Sequence, residues 1–144
     1  MNKLKNKLDQ LFIRLAKLFR NIDENGLMQV ELVDEKDIID EFYNKSVNMV
    51  LDGRIPEHID LILSFELAKA IRDNVDDETI QCLILVKKLI EPIRNLEYDN
   101  IIEFAKVWAS TEVYHEINDK ILQTYVQRDF KKAEAQEVCR IKLR

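Results

Sequence analysis

Two histidines, two cysteines and three serines make up the imidazole, thiol and serine-hydroxyl stock of a 144-residue chain. Glu112 and His115 stand at the Glu-x-x-His spacing by which one helix face offers two ligands to a metal. Carboxylate-bridged bundles use that motif twice and add further glutamates, and this sequence has no second copy. Cys82 and Cys139 lack the short ligand spacing of a structural zinc site, and Cys82, inside an apolar run, reads as a core thiol. His58 reads as a solvated or capping side chain at a helix start. None of Ser46, Ser64 and Ser110 lies in a Gly-x-Ser-x-Gly setting, and two glycines cannot build a phosphate-cradling loop. The chain is therefore expected to act without catalysis, metal or cofactor.

The densest carboxylates are Asp34, Glu35, Asp37, Asp40 and Glu41. They resemble the magnesium-binding acids of all-α nucleotide pyrophosphatases, which need a second set of carboxylates at helical spacing on a neighbouring helix. Asp73, Asp76, Asp77 and Glu78 do not reproduce that set, so capping and solvation account for most of these acids.

The elements that would carry any site are helices. Glycine and proline punctuate structure, and two of each favour long helices over a turn-rich sheet. Apolar residues make up 47%, recurring periodically, so the 34% of charged residues does not imply disorder. The expected fold is all-α: one domain over residues 1–144, a compact bundle of five or six helices, with a basic first helix over 1–21 and an acidic helical body over 35–140.

The first helix is the sequence's most distinctive stretch. Leu4, Leu8, Leu11, Leu15 and Leu18 recur at steps of four and three, flanked by Phe12 and Phe19. Six basic residues, Lys7, Arg14 and Lys17 among them, face a single acid, Asp9. With a total of −5, the remainder must carry about −10. Such a helix docks on its own body, on a partner or on a membrane surface. The width of its apolar face favours its own bundle or a homodimer.

Along the chain, Asn25-Gly26 signals a break. Alternation of Met28, Val30 and Leu32 allows a brief strand over 27–33, paired with the alternating tail at 138–143. Asp34 is expected to cap a helix over 35–52, with Ile38, Ile39, Phe42, Val47, Met49 and Val50 inward. Gly53 stops it, and Pro56 opens the next, over 56–74, with Ile59, Ile62, Leu63, Leu67, Ala70 and Ile71 inward. The stretch Met49-Val50-Leu51-Asp52-Gly53-Arg54-Ile55-Pro56-Glu57-His58-Ile59 resembles a cytoplasmic helix-turn-helix segment of flagellar stator proteins. The likeness consists of generic stop and start signals and implies no function. Asp76 and Asp77 open a fourth helix whose Cys82, Leu83, Ile84, Leu85, Val86, Leu89 and Ile90 leave almost no polar side, so it should be central. Pro92 is expected to bend or end it. Asp99 is expected to cap a fifth helix with Ile101, Ile102, Ala105 and Trp108 on one stripe, and a break at Ser110-Thr111 to precede a last long helix through Ile117, Ile121 and Tyr125.

The longest charge-free apolar run, Thr79 to Val86, is far below the roughly 20 residues of a membrane span. Two distant cysteines without a secretion signal suggest a cytoplasmic protein. The functional expectation is a protein–protein interaction or regulatory adaptor that self-associates or docks a partner through Leu4, Leu8, Leu11, Phe12, Leu15, Leu18, Phe19, Lys7, Arg14 and Lys17. Alternatives are a membrane-peripheral scaffold held by the same helix and an immunity- or antitoxin-like inhibitor of a basic partner. Nucleic acid is disfavoured by the acidic body and by the lack of aromatics among the basic residues.

Overall fold

Asp76 starts the helix that the others surround. Its carboxylate accepts the Thr79 N–H at 3.1 Å and the Thr79 hydroxyl at 2.7 Å, and Asp77 and Glu78 follow in the first turn, where the helix dipole favours acids. These bonds to Thr79 hold the Asp76 carboxyl below its ordinary pKa. The computed structural model of the chain describes residues 6–123. Within them are α1 (Lys7–Asn25), a 3₁₀ turn (Leu27–Gln29), α2 (Ile38–Leu51), α3 (Pro56–Arg72), α4 (Asp77–Arg94), α5 (Tyr98–Trp108) and α6 (Thr111–Glu116), the last widening into a π-helical turn at Ile117–Ile121. The fold is all-α.

Helix α4 is central, as its composition requires. Cys82, Leu83, Leu85, Val86, Leu89 and Ile93 are fully buried, and α1, α2, α3 and α5 all pack on it. A helix apolar on nearly every side must be enclosed, because any side left to water would expose its aliphatic groups. Pro92 sits inside its last turn, and the helix runs two residues further, to Arg94.

Three successive helices end in the same way. After α2, Gly53 N–H bonds Val50 O at 3.0 Å and Arg54 N–H bonds Met49 O at 3.1 Å. After α3, Asn74 and Val75 bond Ile71 and Ala70, and after α4, Leu96 and Glu97 bond Ile93 and Pro92. Each is a Schellman ending, which needs one residue in the left-handed region. Glycine and asparagine tolerate that conformation; Leu96, at φ 58°, does so under strain.

Several boundaries differ from the expected ones. Asn6 is extended and its side chain accepts the Asp9 N–H, so α1 begins at Lys7, and it runs a turn past residue 21 before Gly26 stops it. Asp34 does not cap α2; Asp37 does, accepting the Asp40 N–H at 2.9 Å. The reason is Asn44, whose side chain both accepts from Val33 N–H and donates to Val33 O, pinning the preceding segment alongside α2. The same pair of bonds occupies the backbone of Val33, and no strand forms over 27–33: its first part is the 3₁₀ turn and the rest is irregular. The proposed partner at 138–143 lies outside the described residues.

Glu97, not Asp99, precedes α5, because the chain reverses at Leu96 directly into the helix. Ser110 does cap α6, accepting the Val113 N–H. The last segment is not one continuous α-helix: the π turn brings Ile117 and Leu122, bonded backbone to backbone at 2.8 Å, both to full burial. Ile38 and Ile71, expected inward, are 37% and 56% exposed.

Two substitutions test this account. Leu15, fully buried in α1, should lose about 2–5 kcal/mol on truncation to alanine, measured by urea unfolding. Leu96→Gly should instead raise stability by about 1 kcal/mol, since it relieves the left-handed strain at a half-exposed side chain.

Candidate functional site

The apolar side chains singled out on the first helix are core. Leu8, Leu11, Phe12, Leu15, Leu18 and Phe19 are all buried, against α4 chiefly, with α5 and α6 alongside. Leu4 lies outside the described residues. Asp9, the acid in the first turn of α1, is also buried, and its Oδ1 accepts the Ser110 N–H at 3.0 Å, tying the start of α1 to the α5–α6 junction across 101 residues of sequence.

The basic residues divide. Lys7 lies at the exposed start of α1, where its backbone N–H bonds Glu78 Oε1. Arg14 turns inward: Nη1 meets Asp40 Oδ1 at 2.8 Å, and the guanidinium lies 5.3 Å from the centre of the Tyr43 ring. Asp40 also accepts the Lys36 N–H, so this carboxylate ties α1, α2 and the segment before it. Lys17 is exposed and lines, with Gln10, Ile13, Arg14, Asn21, Glu31 and Tyr43, an open groove of about 700 Å³ between α1 and the 29–31 segment. With Arg14 neutralised by Asp40, Lys17 and Glu31 leave the groove no strong charge of either sign.

The sequence-level chemistry does not assemble. His115 is exposed and faces Asp119 at 3.5 Å, His58 bonds Arg54, and Glu112 is on the surface. Among the described residues no three metal-ligating side chains converge. Burial, reinforced by Glu78, pushes the Cys82 thiol up to about 11, which leaves it protonated and inert at neutral pH.

What the sequence reading missed is the outer side of α3. This helix packs on α2 and α4 through Ile59, Leu63 and Ala70, with Ile62 and Leu67 half-buried beside them, yet it carries a second apolar row on the opposite side, Leu61 at 53% exposure, Phe65 at 67% and Ala68, with Ile71 exposed on its flank. At 100° per residue, 61, 65 and 68 fall on one line, about half a turn from 59, 63 and 70. The 4–3 spacing of Leu61, Phe65 and Ala68 is the signal that could have found it. Side chains of this size are usually buried, so an exposed apolar row on one helix side is a feature that core packing alone does not require. No family model, curated protein or solved structure matches the chain.

The Arg14–Tyr43 corner has a pH signature. Burial pushes the Tyr43 hydroxyl up to about 12, partly opposed by Arg14. The unfolded chain releases this proton near pH 10 and the folded chain holds it, so stability falls as pH rises from about 10 to 12. Urea unfolding at pH 8 and 11 should show a smaller alkaline loss in Tyr43→Phe than in the wild type.

Proposed function

We propose that the protein is a non-enzymatic interaction module, an adaptor or regulatory protein that holds another protein against the outer face of α3. The observation that carries this reading is Phe65, two-thirds exposed in the middle of an aliphatic row on a helix whose other side is already packed. A large aromatic left in water at the centre of an apolar stripe costs solvation free energy that a partner recovers, and such residues dominate binding energy where they become buried. The ends of the face are charged, with Glu57 in the first turn of α3 and Lys69 and Arg72 in the last. This gives the apolar centre and polar rim typical of protein contacts.

The first helix serves this function indirectly. With its leucines and phenylalanines committed to the core, the half-buried Ile13 is the main apolar group that α1 offers to lipid or a partner among its described residues. That is too little to seat an interfacial helix, which needs a full apolar face. No helix among the described residues is long and apolar enough to cross a membrane.

The test is retention of protein from an extract of the source organism on immobilised wild type, Phe65→Lys and Lys17→Glu. A protein held by wild type and Lys17→Glu but lost from Phe65→Lys is the expected result. Equal retention on all three, or loss confined to Lys17→Glu, would move the function away from α3.

A further inference from the structure

We infer that the occupant of the α3 outer face is a second copy of this chain, paired antiparallel about a two-fold axis between Ser64 and Phe65. The inference rests on the reading of α3 as an interaction face and goes beyond it by naming the occupant.

Charge distribution selects the pairing. Helix α3 is polarised: Glu57 is exposed near its start, and Lys69 and Arg72 are exposed at its end. Other charges along the helix are already matched within the chain, Asp60 by Lys87 at 2.8 Å and Glu66 by Lys45 at 2.6 Å. No ion pair to Glu57, Lys69 or Arg72 occurs among the described residues. An antiparallel two-fold arrangement sets the acidic end of each copy beside the basic end of the other, twice. A parallel one stacks like ends on each other and is disfavoured.

The apolar register agrees. An axis midway between positions 57 and 72 places Leu61 opposite Ala68 of the partner subunit and brings the two Phe65 rings together near the axis. A large side chain opposite a small one lets the helices approach closely, as interdigitating packing requires. One helix face per subunit is a small contact, so the dimer belongs to the transient class, below the standard interface of about 1,600 Å², and is expected to dissociate on dilution.

Sedimentation equilibrium on the full chain, over a concentration series up to about 500 µM, tests this. Wild type should show a reversible monomer–dimer equilibrium, and Phe65→Lys should stay monomeric with an unchanged unfolding midpoint. Glu57→Lys and Arg72→Glu should each weaken dimerisation about fivefold or more, and the double reversal should recover most of the wild-type affinity, because the swapped charges face each other again only in the antiparallel arrangement. A wild type that remains monomeric at the highest concentration overturns the self-pairing. If an extract protein is still lost from Phe65→Lys in that case, the α3 interaction face stands and only its occupant is wrong. A dimer that survives Phe65→Lys places self-association on another surface, and a double reversal weaker than either single one overturns the antiparallel geometry.

Discussion

Helix α4 has almost no side that water can solvate, and the rest of the structure follows from that constraint. Enclosing such a rod takes neighbours on several sides at once. Helix α1 supplies the widest of them: its leucine seam, broadened by Phe12 and Phe19, lies against α4, while α2, α3 and α5 cover the remainder. Polar ties then set how these helices meet. Asp40 joins α1 to α2 through Arg14, Asp9 joins α1 to the α5–α6 junction, and Arg94 at the end of α4 donates to Arg54 O in the α2–α3 turn. Each is a charge-assisted hydrogen bond, stronger than a neutral one and demanding in geometry. They orient helices that burial alone would leave free to slide.

The same constraint explains why α3 is the helix with something to spare. Among the described residues it packs chiefly on α2 and α4, and Ile59, Leu63 and Ala70, flanked by the half-buried Ile62 and Leu67, supply its inward contacts. Its outer row is not needed for the core. An edge helix of a folded chain normally turns charge to water, as α1 does with Lys17 and Arg20. Leu61, Phe65 and Ile71 break that pattern on the side where nothing in the described chain covers them. The charge contrast of the first helix has a plainer origin: among its described residues Lys17 is solvated, Arg20 pairs with Glu24 and Arg14 with Asp40 of the acidic body, so these cations form the outer side of a core helix.

Much of the architecture was legible from residue types and spacing. The Gly53–Pro56 boundary, the Asp76 start, the Ser110 break and the centrality of α4 all rest on local signals that the structure uses as such. Boundaries failed where a distant side chain decided them. Asp34 and Asp37 are equally good caps in isolation, and the bonds from Asn44 to Val33 choose between them. Asp99 lost its place because the strained Leu96 turns the chain into α5 two residues early. The π turn after α6 has no sequence mark, since it follows from the need to bury Ile117 and Leu122 together.

The apolar residues named on α1 as a docking face are core, and the exposed apolar row lies on α3 instead. Periodicity identified the stripe on α1 but carries no information on what a stripe packs against, and the basic residues beside it drew attention away from α3. On α3, the inward set of Ile59, Ile62, Leu63, Leu67, Ala70 and Ile71 holds except at Ile71, and Leu61, Phe65 and Ala68 were left unread. Hydroxyl-radical footprinting of the dilute monomer tests the central claim, that the first helix is core and α3 carries the free apolar face. The account predicts rapid oxidation at Leu61 and Phe65 and silence at Phe12, Leu15 and Phe19 until the chain unfolds. Oxidation of Phe12 and Phe19 at the rate of Phe65 in the native protein would contradict it.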